Sequence, residues 1–239
     1  MREIISLNGS WAFTKAGEVP AAMPTDWETV TVPHCWNAVD GQDGGNDYYR
    51  GTCHYAKTIV KNELPKADRY YLEIQGANSS ADVYVGGKKL AHHDGGYSTW
   101  RVDITEELGD ETLLVIAVDN SANETVYPQM ADFTFYGGLY RNVNLICVSE
   151  SHFDLDYFGA PGIKVTPAID GANANVEVEV YLTNAKAGQK LVYKVKRPCG
   201  CLVAESTVDV SETKTVFNLE KVHLWHGRKD HIFTQQKSP

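Results

Sequence analysis

Between Ile74 and Ile104 the chain alternates apolar and polar residues and breaks at paired glycines, the period of a half-buried strand rather than a helix. In Ala81-Asp82-Val83-Tyr84-Val85 the small and apolar side chains fall on one face, with Asp82 and Tyr84 on the other. Gly86-Gly87 offers a tight hairpin turn, because such turns need positive φ. A second pair, Gly95-Gly96, precedes Tyr97, Trp100, Val102 and Ile104, where alternation resumes. The run from Asp103 to Leu108 reads as a helical turn capped by Thr105, with Glu106 and Glu107 facing the positive end of the dipole. This hairpin is expected to be the core on which flanking segments pack.

The same texture runs along the chain. Short extended pieces are expected at residues 11–13, 27–32, 55–60, 70–74 and 141–148. Residues 113–118 are apolar on both faces and read as a central strand. Two polar stretches, Asn37 to Asn46 and Asp132 to Gly138, read as long surface loops, where function is often carried. Beyond a boundary near 149–162, Val176, Val178, Val180 and Leu182 share one face, and strands fit 191–196, 202–210 and 215–219. Frequent Gly, Asn and Asp turns with almost no helical period give an all-β sandwich. The turn spacing of the second part suits a small immunoglobulin-like sandwich.

Composition narrows the partners. A net charge of −9 argues against nonspecific binding of nucleic acid or anionic membranes. No apolar run is long enough for an export signal or a bilayer span, so a cytoplasmic location is expected. The five cysteines are scattered and odd in number, which reads as free thiols; Cys199-Gly200-Cys201 lacks the two-residue spacer of redox and zinc motifs. His92 and His93 would point to opposite faces of a strand, a poor metal pair. The glycines of 41–45 are followed by no Lys-Ser/Thr and no helix, so they make no phosphate loop. No cofactor and no metal site are expected.

Seven segments carry a resemblance: LNGSWAF at the start, VPHCWN at 32–37, DYYRG at 47–51, GANSSADVYVGG at 76–87, HDGGYS at 93–98, VDNS at 118–121 and DFTFYGGLYRNV at 132–143. In their order and spacing they resemble the family 2 glycoside hydrolases, which include β-galactosidases, β-glucuronidases and β-mannosidases. The later HLWHGRKD at 223–230 is similar to the end of that family's second domain. The resemblance implies a jelly-roll β-sandwich of the galactose-binding-domain type over 1–150. A truncated immunoglobulin-like β-sandwich over 151–239 follows, incomplete at its C-terminus. It also implies a non-catalytic portion of a β-galactosidase-like enzyme that hydrolyses terminal β-glycosides. In the family both catalytic carboxylates lie on a following barrel. Retaining glycosidases need those two groups about 5–5.5 Å apart on a rigid scaffold, and no segment here resembles either motif. A free-standing carbohydrate-binding module and a structural or interaction sandwich are the alternatives.

The resemblance also implies site residues. Asp132 precedes the glycine-rich motif at the position where a family aspartate reaches the sugar, or a cation beside it. A carboxylate suits both tasks. Asn46 and Asp47, with Asp43 behind them, occupy the other polar loop and are substrate-binding candidates. Arg141 and Gly138 are expected to support the site loop, Arg141 by pairing with a carboxylate. His34 and Trp36 are expected to anchor a strand start by packing and hydrogen bonding. Alone, the chain is expected to bind carbohydrate weakly or not at all. After Asp230 the ending HIFTQQKSP departs from the family's PYLYTA-like stretch. A single lost base converts one into the other, so a missing final strand is expected. Its absence leaves an edge through which a homodimer could form.

Overall fold

The computed structural model describes residues 2–38, 40, 47–127 and 134–225. It divides into two compact units, Met1–Gly159 and Ala160–Pro239. The departure after Asp230 and the strand loss expected from it lie outside the described residues. Among the described residues the only helical pieces are 3₁₀ turns at Lys61–Glu63 and Thr105–Glu107, and no helix is long and apolar enough to cross a membrane.

The first unit contains β1 (Glu3–Ser6), β2 (Trp11–Thr14), β3 (Glu28–Val30), β4 (Thr52–Val60), β5 (Arg69–Ile74) and β6 (Ser80–Val85). It continues with β7 (Lys88–Asp94), β8 (Trp100–Asp103), β9 (Glu111–Asp119), β10 (Val143–Val148) and β11 (His152–Phe153). Ten of these strands build two antiparallel sheets, ordered β1-β10-β5-β8 and β3-β2-β4-β9-β6-β7. Alternation along each strand decides what lies between them. Leu72 and Ile74 face inward from one sheet, and Trp11, Tyr55, Leu114 and Ile116 from the other, all fully buried in one cluster.

Strand β9 is central, as its two apolar faces require. Its outer side, with Val115, lies under Trp27 and Tyr84 rather than under a further sheet. The glycine hairpin forms as β6–β7, but at the edge of the six-stranded sheet, so β9 and not the hairpin is the element on which neighbours pack. The resumed alternation after Gly96 becomes β8, which crosses to the other sheet beside β5. The 3₁₀ turn that follows has no side-chain cap. Thr105 Oγ1 instead accepts the Tyr70 N–H at 2.9 Å, which closes the edge of β5.

The first unit runs on to Gly159, inside the boundary stretch expected at 149–162 and nine residues beyond the 150 given to the first domain. The reason lies on the outer face of the four-stranded sheet. Register partners Glu73 and Arg101 form a 2.7 Å ion pair there, each side chain only 7% exposed. Arg101 also donates to the Leu155 carbonyl at 2.7 Å and the Gly159 carbonyl at 2.9 Å. The chain after β10 thus folds back and covers the pair.

The second unit contains β12 (Ile163–Asp170), β13 (Asn173–Val180), β14 (Leu182–Thr183), β15 (Lys190–Lys196), β16 (Leu202–Asp209) and β17 (Lys214–Leu219). A β12-β13-β17 sheet and a β15-β16 hairpin face each other across Val180, Leu191, Tyr193 and Phe217. Strand β12 went unread in the sequence. It is exposed along its whole length and holds Pro167, which an edge strand tolerates. Residues Val165, Pro167 and Ile169 pair with Val178, Val176 and Ala174, so they share the core-facing side. Even so, Val165 is 57% and Ile169 52% exposed.

Candidate functional site

The motifs VPHCWN and GGLYRNV pack on each other. His34 donates its backbone N–H to the Leu139 carbonyl at 2.7 Å. A Cβ on Gly137 would come within 2.0 Å of the Trp36 ring, and one on Gly138 within 2.2 Å of the His34 carbonyl oxygen. Gly138 also sits at φ +138°, in the region that favours glycine. At Gly138 the constraint is one of space: a bare backbone lets the two motifs close.

Two buried asparagines complete the contact. Asn37 donates to Asp40 Oδ2 at 2.8 Å and to the Tyr49 carbonyl at 2.9 Å. Its Oδ1 accepts the Gly137 N–H at 2.7 Å and the Asn120 amide at 3.3 Å. Asn120 in turn donates to the carbonyls of Tyr49 at 3.2 Å and Phe135 at 3.4 Å, and accepts the Gly51 N–H at 3.0 Å. Asp40 receives the Tyr49 N–H at 3.0 Å. That bond and the Asn37 amide hold its carboxyl below the usual carboxylate range. Together these groups clamp Asp40 and Tyr49, on either side of residues 41–46, to Phe135 and Gly137, which follow residues 128–133. Asn78 adds a second tie. It donates to the Tyr136 carbonyl at 2.6 Å and accepts the Tyr127 hydroxyl. The bases of the two polar loops therefore converge.

Asp132, Asn46 and Asp43 lie outside the described residues. Asp47 is exposed, and its Oδ1 accepts the Tyr48 N–H at 2.8 Å. Among the described residues Arg141 has no carboxylate in ion-pair range. It donates instead to the Tyr97 carbonyl at 3.3 Å and lies over the Tyr140 ring at 5.4 Å. His34 shares a 2.8 Å hydrogen bond with the Tyr55 hydroxyl, and Trp36 is buried against Phe13, so both anchor by packing as expected, though in an irregular segment rather than a strand. Near the clamp Tyr97 stacks on Tyr127 at 4.9 Å while remaining 60% exposed.

His92 and His93 diverge across β7. His92 lies 2.6 Å from Asp82 and 3.2 Å from Asp94, and these carboxylates raise its pKa, whereas His93 stacks on Trp100. No group of three His, Cys, Asp or Glu placed to hold a metal occurs among the described residues. The clamp residues that sequence reading missed are Asn37, Asp40, Tyr49 and Asn120. Three of them were visible as the last residue of VPHCWN, the second tyrosine of DYYRG and the asparagine of VDNS.

Residues 46–143 match the glycosyl hydrolase 2 galactose-binding domain-like family, so the first unit is a galactose-binding-like domain built as a β-sandwich. The chain is similar to part of the glycosyl hydrolase family 2 enzymes. It is 30% identical to a β-glucuronidase of Bacteroides fragilis, over 98% of this chain and 35% of that protein. It is 23% identical to a β-galactosidase of Thermoanaerobacter pseudethanolicus, over 97% and 32% respectively. Among solved structures, an FMN-binding β-glucuronidase from Facaelibacterium prausnitzii L2-6 matches with a TM-score of 0.84 and 42% identity, over 94% of this chain and 35% of that one. The chain spans about a third of the length of these relatives.

Proposed function

We propose that this chain is the non-catalytic part of a retaining β-glycosidase and supplies one wall of its sugar site. The observation that carries this is the clamp. It brings the bases of two polar loops together in a chain that aligns over 98% of its own length with a β-glucuronidase. In this reading Asp132, Asn46, Asp47 and Asp43 present acceptors to the hydroxyls of a terminal sugar. The acid/base and nucleophile belong to the remaining two thirds of the enzyme. β-Glucuronides are the first substrates to try, since the most identical of the relatives named above is a β-glucuronidase. The purified chain should not turn over aryl β-glucuronides or aryl β-galactosides. Turnover that persists in Asp132→Ala would overturn the proposal.

A second reading, a carbohydrate-binding module, draws on the galactose-binding-like match and on the exposed rings of Tyr97 and Tyr136 beside the clamp. Loop hydrogen bonds alone seldom offset the ordering cost of binding a monosaccharide, so calorimetry should detect no tight complex. Affinity in the micromolar range for glucuronate, galactose or lactose would favour the module.

A further inference from the structure

The β15–β16 hairpin turns through Arg197-Pro198-Cys199-Gly200-Cys201. Gly200 donates its N–H to the Arg197 carbonyl at 2.8 Å, and Arg197 donates to the Cys201 carbonyl at 2.9 Å. Gly200 sits at φ +83°, which turns the chain sharply between the cysteines. Their Sγ atoms stand 2.9 Å apart, and both residues are exposed. A cleft of about 700 Å³ adjoins Cys199, lined by Val195, Val203, Leu219 and Val222 with the cations of Arg197 and Lys221.

The other thiols contrast with this pair. Cys35 is half-buried and Cys53 and Cys147 are buried; burial pushes all three thiols up, Cys53 to about 12 and Cys147 to about 11. At Cys199 the direction reverses. The hydrogen bond from Cys201 draws the Cys199 thiol below its ordinary value, the Arg197 charge adds to the effect, and Cys201 is raised in turn. A low thiolate threshold combined with exposure is what makes a cysteine reactive.

We propose that Cys199 and Cys201 form a dithiol–disulfide couple, a thiol-exchange site whose co-reactant is a low-molecular-weight disulfide. The Cys199 thiolate attacks one sulfur of that disulfide, whose S–S bond breaks. One thiolate leaves and takes up a proton, and a mixed disulfide remains on Cys199. Cys201 then gives its proton to solvent and attacks the Cys199 Sγ, expelling the second small thiolate, which is protonated in turn. The two cysteines lose two electrons and two protons, and the small disulfide gains both to become two thiols.

The test uses the reduced protein, freed of reductant and incubated with oxidised glutathione. Mass spectrometry then reads the tryptic peptide spanning 197–214. The expected product is that peptide lighter by two hydrogens. Its iodoacetamide labelling should fall about tenfold and recover with dithiothreitol, while labelling of Cys35 changes less than about twofold. Cys201→Ser should stop at a glutathione adduct on Cys199, because a serine hydroxyl cannot expel the second small thiol, and Cys199→Ser should stop likewise at an adduct on Cys201. Both side chains are exposed, so neither variant should alter the melting temperature. The proposal fails if the wild-type peptide keeps both thiols while Cys35 reacts, or if the wild-type peptide, like both variants, ends as a stable glutathione adduct.

Discussion

Asn37 uses its entire hydrogen-bonding capacity, two donors and two acceptors, from a fully buried position. Asn37→Asp keeps the shape and removes both donors, setting a buried carboxylate against the Asp40 carboxylate and the Tyr49 carbonyl. We expect a loss of roughly 3 kcal/mol, read as a lower urea midpoint at unchanged slope. An unchanged midpoint would mean the clamp contributes little. The glycines give a graded comparison. Gly138→Ala meets both the positive φ and the His34 carbonyl, whereas Gly86 has positive φ with open space around it. Costs of about 3 and about 1 kcal/mol follow; equal costs would show that backbone conformation alone matters. The motifs were legible as motifs, but their reason was not. A sequence shows that two glycines follow Tyr136, yet only the fold shows that Trp36 and His34 occupy the space their side chains would need.

Alternation made most strands readable because one face of each is buried. It failed where that premise fails: β1 is an edge strand with Ile4 turned outward, and β12 is exposed along its length. The hairpin was read correctly as β6–β7 but placed wrongly in the sheet, since local period carries no information about which strand a neighbour chooses. The Glu73–Arg101 pair was equally invisible, being fixed by the β5–β8 register. Burial raises the Glu73 carboxyl, but hydrogen bonds from Asn144, Arg101 and Gln75 outweigh it and hold the group below the usual range. A depressed folded value contributes stability above the unfolded pKa and loses it as pH falls through the folded value. The acid limb of the wild-type stability curve should therefore flatten in Glu73→Gln. Arg101→Met leaves the carboxylate buried and unpaired, for a loss of about 3 kcal/mol near neutral pH. A parallel acid limb in Glu73→Gln would place the pH sensitivity elsewhere.

For the whole chain, the two units differ in how much they bury. Twenty-six buried residues form the main cluster of the first, against four in the second, among the described residues. Thermal unfolding should show two transitions, with the second unit melting first. A piece comprising residues 1–159 should melt well above one cut at 150, because the shorter piece lacks the carbonyls that Arg101 holds; equal melting points would contradict this. The exposed inner side of β12 is expected to matter on a larger scale, between molecules. At a net charge of −9 the copies repel, and that repulsion reaches only about 8 Å at physiological ionic strength. Added salt screens the repulsion but would leave intact any apolar attraction between the exposed Val165 and Ile169 of two copies. The protein should thus behave as a salt-tuned colloid. Its light-scattering mass should rise with sodium chloride, and threonine at both positions should abolish that rise.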